Sequence, residues 1–315
     1  MGASGIGHIG ATVAAVLLAT LATPILARAQ AAPAAQSEEA QANELKLAWV
    51  AGTLAATEGP ADIALIDQAT LKLPPGYDFI PKAEGARILR ALGNTVGELT
   101  FVGLIVGTKP GDDWIVATRY VKEGYIKDDD AKNWNADELL ANIKEGTAEA
   151  NKDRVARGFP ELEVLGWVEK PAYDSATHRL VWSLLAKQKD EPDTADNGIN
   201  YNTYALGREG YLSLNLLTSS SRVDADKNAA HELLAALSYN AAKGYEDFNA
   251  STDHIAEYGI AALVGGVVAK KLGLFALIGV FVAKFAKVIG IGALAFGGAI
   301  WNFFRRKPKG ASTNA

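Results

Sequence analysis

Residues 179–218 read RLVWSLLAKQKDEPDTADNGINYNTYALGREGYLSLNLLT, and their spacing decides the fold. In Arg179–Lys187 the residues Leu180, Trp182, Leu184 and Ala186 recur at every second position, and in Tyr211–Thr218 so do Leu212, Leu214 and Leu216. A period of two marks a half-buried strand, because successive side chains of an extended chain point to opposite faces. Ile199–Leu206 lies between them, joined to the last strand by Gly207-Arg208-Glu209-Gly210, a tight hairpin link with glycine at both flanks. Glu161–Glu169 precedes them as a further strand. Four strands in succession imply an antiparallel β-meander.

Upstream, strands and helices are segregated rather than alternating, so the fold class is α+β: an antiparallel β-meander with packed helices, plus a C-terminal transmembrane helix. Ala61–Ile66 and Ala69–Leu73 read as short strands, followed by the turn Pro74-Pro75-Gly76-Tyr77. Pro81–Leu92 is a short helix with Ile88, Leu89 and Leu92 on one face, stopped by Gly93-Asn94. Glu98–Val106 is apolar throughout its centre, as in a strand covered on both faces. It forms a hairpin with Trp114–Val121, where Trp114, Val116, Thr118 and Tyr120 alternate with Ile115, Ala117 and Arg119. Asn135 caps a long helix, with Glu138 completing a capping box and Leu139, Leu140, Ile143, Thr147 and Ala150 as its buried stripe. Gly158 and Pro160 end it. After the meander a last helix runs from Asp226 to about Lys243, turning Ala230, Leu233, Leu234, Leu237 and Ala241 inward, with Gly244 as its stop.

The two ends of the chain belong to a membrane. Residues 1–29 carry the apolar run IGATVAAVLLATLATPILA and the Ala27-Arg28-Ala29 pattern of a cleavage site, which reads as a signal peptide, or as an N-terminal anchor if it stays uncleaved. Only the amino group and His8 precede the run, where a signal peptide carries Lys or Arg. Residues 30–42, rich in Ala and Gln, read as a disordered tether, and residues 43–257 as one exported α+β body. Val288–Phe304 holds 17 uncharged residues, about 25 Å of helix, against a hydrocarbon core of ~30 Å. Lys284 and Lys287 on one side and Arg305, Arg306 and Lys307 on the other flank this span and snorkel to its edges. Residues 258–287 then read as an interfacial or re-entrant apolar helix, and residues 305–315 as a basic cytoplasmic tail by the positive-inside rule. The protein is expected in a bacterial inner membrane, single-pass, its bulk in the periplasm. Ala293 and Gly297 have the small-xxx-small spacing that lets such helices associate, so a homo-oligomer through the glycine-rich span is one expected partner alongside the bilayer.

The whole chain carries a net charge of −5, but that value hides a split. All 36 acidic residues lie between Glu38 and Glu257 with 22 of the 31 basic ones, and 22 against 36 leaves −14 on the exported part, the 30–42 segment included. Such a surface excludes nucleic acid bound through phosphates and favours cationic partners or divalent ions. There is no cysteine, so the body folds without disulfides.

Several motifs together resemble a bacterial family of uncharacterised membrane-anchored proteins, a domain of unknown function with no assigned activity. They are Gly166-Trp167, Pro171 to Asp174, Thr177 to Trp182, Asn200-Tyr201-Asn202, Leu206 to Gly210, Gly244 to Phe248, and Thr252-Asp253 through Tyr258-Gly259. The resemblance runs from about Gly76 to Arg306 and implies topology without implying a reaction.

Candidate chemistry is sparse. Asp174 and His178 in the first meander turn form the one pair suited to general-base work, a carboxylate fixing an imidazole. The competing reading is an Asx-turn at Asp174 with His178 opening a strand. Asp128-Asp129-Asp130 fails the calcium-loop pattern at Lys132 and Asn133. His231 and His254 share a metal only if the fold joins them, and no cofactor or metal is expected. Trp167, Trp182, Tyr201, Tyr204 and Tyr211 read as core or as a groove, and Tyr173, Arg208 and Glu209 as a binding surface. The functional expectation is a membrane-anchored periplasmic domain that binds, scaffolds or senses an envelope component or protein. The alternatives are a hydrolase of an envelope polymer working through Asp174 and His178, and an oligomeric membrane pore with Lys284 and Lys287 facing inward.

Overall fold

The computed structural model describes residues 32–92, 96–97, 99–156, 161–192 and 196–265. The expected signal segment, the span 288–304, Lys284, Lys287, Arg305, Arg306 and Lys307 fall outside them, as do the helix stops Gly93-Asn94 and Gly158-Pro160. No helix among the described residues is long and apolar enough to cross a membrane. Of an N-terminal unit ending at Ala40, the described residues are helical, and the body begins at Gln41.

Eight strands form one antiparallel sheet. In chain order its members are β1 (Thr57–Glu58), β4 (Tyr77–Pro81), β5 (Phe101–Gly107), β6 (Ile115–Val121), β7 (Leu162–Asp174), β8 (Arg179–Gln188), β9 (Gly198–Gly207) and β10 (Gly210–Ser219). They lie side by side as β1-β4-β5-β6-β10-β9-β8-β7. The meander β7 to β10 is present as the alternation predicts. Its last strand then pairs with β6, which joins the two halves of the sheet. A second sheet, β11-β3-β2, is made of β2 (Ala61–Leu65), β3 (Ala69–Leu73) and β11 (Leu237–Tyr239).

Helices α2 (Lys82–Ala91) and α3 (Ala136–Ala156) rest on opposite ends of one face of the large sheet, α2 on β4 and β5, α3 on β7. The other face is closed by α4 (Val223–Ala235) and the small sheet, burying Leu212, Leu214 and Leu216 of β10 with Leu71, Leu233 and Leu237. Each such leucine contributes about 1.5–3 kcal/mol of transfer free energy. Asn135 caps α3 as expected: its Oδ1 accepts from the N–H groups of Asp137 and Glu138 at 2.9 and 3.4 Å. Glu138 accepts from the Asn135 side-chain amide at 3.3 Å, a side-chain pair in place of the bond to the Asn135 backbone N–H that the expected capping box requires. The far end of α3 is fixed by Asn151, whose amide donates to Leu162 O (2.8 Å) and accepts from Leu162 N (2.9 Å).

Three expectations are corrected. The segment read as a disordered tether, 30–42, is helical from Ala32, within α1 (Ala32–Ala55). Alanine, glutamate and glutamine favour helix, and the far end of α1 has a face to bury, with Leu45 and Ala48 in a core shared with Ile80 and Ile88. The last helix does not reach Lys243 but stops at Ala235. Leu237 is buried in β11 instead, and Ala241 is exposed rather than inward. The apolar spacing of 233, 234, 237 and 241 fits a helix, but pairing with β3 satisfies the backbone better there. Tyr77–Pro81 is the strand β4, not merely the end of a turn. In the segment read as interfacial, 258–287, the described part includes a short helix, α5 (Ile260–Gly265), whose Ile260 and Val264 are buried with Leu139 and Ile143 of α3.

Candidate functional site

The turn between β7 and β8 holds the sequence-predicted pair, and the fold keeps its members apart. Asp174 bonds its own turn: Oδ1 accepts from Ala176 N at 2.9 Å and Oδ2 from the Thr177 hydroxyl at 2.6 Å. The Thr177 hydroxyl and then the Ala176 amide hold its carboxyl below the usual carboxylate range. This is the Asx-turn reading. His178 sits at φ 53° with both ring nitrogens occupied by other partners. Nδ1 lies 2.9 Å from the Tyr173 hydroxyl, and Nε2 lies 2.7 Å from Glu246 Oε1. Tyr173 donates its proton to Asp128 at 2.7 Å, and burial, then that bond, push its phenol well up. One face of the imidazole stacks on Tyr245 with centroids 4.0 Å apart. His178 therefore ties the meander turn to the segment after β11.

Arg208 and Glu209, expected as open surface, are engaged in the same way. Arg208 grips Asp253 through two bonds and also reaches Ala242 O. Glu209 pairs with Lys243 at 3.0 Å and Lys122 at 3.7 Å. The Arg208 side chain retains 25 % of its exposure and Asp253 only 11 %. The guanidinium, followed by the Asn249 amide, holds the Asp253 carboxyl far below the ordinary range. His231 and His254 are not brought to one place: His231 Nε2 meets the buried Tyr201 hydroxyl at 2.8 Å, and that hydroxyl donates to Glu169 at 2.6 Å. Among the described residues no group of three or more metal-ligating side chains forms.

A different cluster emerges from strand register. On the face carrying α2 and α3, Arg119 of β6 stands opposite Ser213 of β10, which stands opposite Tyr204 of β9. One step along, Asn215 of β10 faces Asn202 of β9, and Asn202 faces Trp182 of β8. Residues two apart on a strand share a face, so these six side chains tile one continuous patch between the helices. Ser213, Asn215, Asn202 and Trp182 are 6–9 % exposed, which is unusual for polar groups on a sheet face.

The patch is underpaired. Arg119 Nε, Asn215 Oδ1 and Trp182 Nε1 are sealed from solvent without a hydrogen-bond partner among the described residues. Each neutral orphan costs about 1–3 kcal/mol, and a desolvated guanidinium more. Arg119 as a whole keeps part of its surface open, although its Nε is sealed. Burial nevertheless lowers its pKa, and the groups that partly offset this are the phenols of Tyr204 and Tyr211, with no carboxylate among them. Its guanidinium carbon lies 6.0 Å from the Phe101 ring centre. Trp167, Trp182, Tyr204 and Tyr211 form a chain of edge and tilted ring contacts beside it, at 6.2, 6.4 and 5.3 Å. Tyr201 points to the other face. The sequence does hold a signal, polar residues at alternate positions 119, 202, 213 and 215, but alternation assigns them to solvent.

No curated protein matches the chain. Among solved structures it is similar to cyanobacterial PsbP (CyanoP) from Synechocystis, at 10 % identity over 59 % of this chain and 91 % of that one, with a TM-score of 0.35. It is also similar to the Ran-binding protein Mog1p of Saccharomyces cerevisiae, at 11 % identity over 56 % and 94 %, with a TM-score of 0.31. Likenesses at that level carry no argument about ligand or activity. Residues 57–297, well over half the chain, match the family described as protein of unknown function (DUF2167), and the chain belongs to that family.

Proposed function

We propose that this chain is a binding and scaffolding module: an acidic α+β body exported across a bacterial inner membrane and held at its outer face by the apolar C-terminal tail. There it engages a protein or another envelope component. The observation that carries the reading is the seating of residues 245–265, the segment leading into the apolar run. Tyr245 donates to Ile126 O at 2.8 Å, Ile255 forms a parallel bridge with Tyr125, and Ile260 N donates to Lys127 O at 3.0 Å. A flexible leash needs none of these contacts. A body seated in this way presents one fixed surface to the membrane and another to a partner, as scaffolding requires. The family match extends to residue 297, so the apolar tail is part of the unit that defines the family.

The absence of cysteine makes the location directly testable. Asp190→Cys, in the exposed β8–β9 loop, and Thr313→Cys, near the C-terminus, are expressed separately in the full chain. A membrane-impermeant maleimide is then added to intact spheroplasts. The expected result is labelling at 190 without permeabilisation and at 313 only after it. The reverse pattern overturns the placement.

A further inference from the structure

We infer that His178 is a proton-operated catch between the β7–β8 turn and the segment after β11. The contacts around it are complete only while both ring nitrogens carry a proton, and the catch loosens as pH rises and one proton leaves.

Three contacts around the ring need three protons. The Tyr173 hydroxyl lies 2.7 Å from Asp128 Oδ2 and 2.9 Å from His178 Nδ1, while His178 Nε2 lies 2.7 Å from Glu246 Oε1. An ionised carboxylate only accepts, so Asp128 takes the single proton of the phenol. The phenol oxygen is then left to accept from Nδ1–H. Glu246 accepts in the same way from Nε2–H. The imidazole therefore provides two of the three protons and is a cation in this arrangement. Tyr173 keeps its own proton throughout, because burial, then the Asp128 bond, push its phenol well up.

Either neutral tautomer breaks a contact. With Nδ1 bare, the phenol must turn its proton to the ring and abandon Asp128. With Nε2 bare, a lone pair faces the Glu246 carboxylate. The ring has little room to swing aside, since it stacks on Tyr245 with centroids 4.0 Å apart and its side chain is 14 % exposed.

The groups around the ring come from three segments. Its own hairpin brings Tyr173, with Asp174 engaged by Ala176 and Thr177, and Arg179 by Leu237 O. The loop ahead of α3 brings Asp128, whose Oδ2 is also 3.6 Å from Nδ1. The one-turn helix Tyr245–Asp247 brings Tyr245 and Glu246. Both charged groups that touch the ring are carboxylates, which an imidazolium needs and a neutral imidazole does not. One proton thus ties the meander turn to two other segments, one of which leads into the apolar tail. Outside the membrane, as proposed above, the catch meets the acidity of the surroundings directly; its chemistry does not rest on that placement.

The test follows the ring nitrogens of isotopically labelled histidine by NMR, in the full chain in mild detergent, from about pH 5 to about pH 9. His178→Gln identifies the signals. Amide exchange of Asp247 and Phe248, which donate to Gly244 O and Tyr245 O, is measured alongside and corrected for its intrinsic pH dependence. Both His178 nitrogens are expected to carry protons at the acid end. Loss of one is expected to speed the corrected exchange by about threefold or more in the same transition. In His178→Gln that step is expected to vanish. Glu246→Gln alters a side chain that is 87 % exposed, so the fold is retained, and its amide can donate to a bare Nε2. The transition should then move to lower pH by a few tenths of a unit or more. A bare nitrogen at the acid end, or a ring that holds both protons throughout, overturns the inference. So does exchange that ignores the transition or keeps its step in His178→Gln, or a transition that Glu246→Gln leaves in place.

Discussion

Arg208 and Asp253 lie 45 positions apart and meet in a two-bond fork, Nε to Oδ2 at 2.7 Å and Nη2 to Oδ1 at 2.9 Å. Arg208 belongs to the two-residue link between β9 and β10, while Asp253 belongs to the segment that leads to the apolar tail. The fork fastens the last part of the body to its central hairpin. Asp253 also accepts from Asn249 N at 2.8 Å, so the pair shapes the segment as well as holding it.

Asp253→Asn should therefore loosen residues 245–258 without unfolding the sheet. Limited proteolysis of the full chain is expected to gain cuts within that segment, while fragments spanning β7 to β10 persist. An unchanged cleavage pattern would show that the fork is ornamental.

The acid response of this contact has a definite sign. The folded-state pKa of Asp253 is depressed, so the stability it contributes is fully present above the unfolded carboxylate value, about 3.9, and is lost as pH falls through the lower folded value. The segment should stay seated from neutral pH down to about 4 and release only in stronger acid, as followed by proteolysis with an acid protease. Release between pH 5 and 7 contradicts this.

Asp78 has the opposite sign. It stands across from Glu58 in the β1–β4 pair, and burial, then that glutamate, raise its carboxyl above the usual range. A raised folded value means that stability falls as pH climbs from the unfolded value through the folded one. Asp78→Asn should thus stabilise the protein at pH 7 by about 0.2–1 kcal/mol, the scale of a like-charge cross-strand pair, with the gain vanishing below about pH 4. Denaturant midpoints at the two pH values decide it.

Tyr201 is fully buried and its hydroxyl serves both Glu169 and His231. Tyr201→Phe keeps the ring and strands both partners. A loss of about 1–3 kcal/mol in denaturant unfolding is expected, and no loss would mean that water replaces the hydroxyl freely.

Gly210 opens β10 at φ 151°, and a Cβ there would lie 2.0 Å from the carbonyl oxygen of Val121. Gly210→Ala must push β10 away from β6 at the join between the two halves of the sheet. A loss of about 2 kcal/mol or more is expected in the same assay, in line with other backbone clashes at constrained positions.

Much of the fold was legible because its signals are local. The alternation of Leu180, Trp182 and Leu184, the glycines flanking Arg208-Glu209, and the Asn135 cap each act within a few residues. β4 was missed because Tyr77, Phe79 and Ile80 are too few to show a period and Pro81 follows them. β11 was missed because the spacing from Leu233 to Leu237 also fits a helix, and only pairing with β3 settles the matter. The candidate site was not legible at all. It depends on β6 lying beside β10, nearly a hundred residues away, and the partners of His178 likewise come from Asp128, Tyr173 and Glu246 rather than from Asp174.

The most direct test of the proposal that residues 245–265 seat the body firmly at the start of a membrane-held tail is amide hydrogen exchange of the full chain in lipid nanodiscs. The decisive amides are those of Tyr125, Ala256 and Ile260, which donate to His254 O, Tyr125 O and Lys127 O at 2.8, 2.9 and 3.0 Å. Exchange as slow as that of the central strands β9 and β10 is predicted. Exchange at the rate of an unstructured linker would contradict the account.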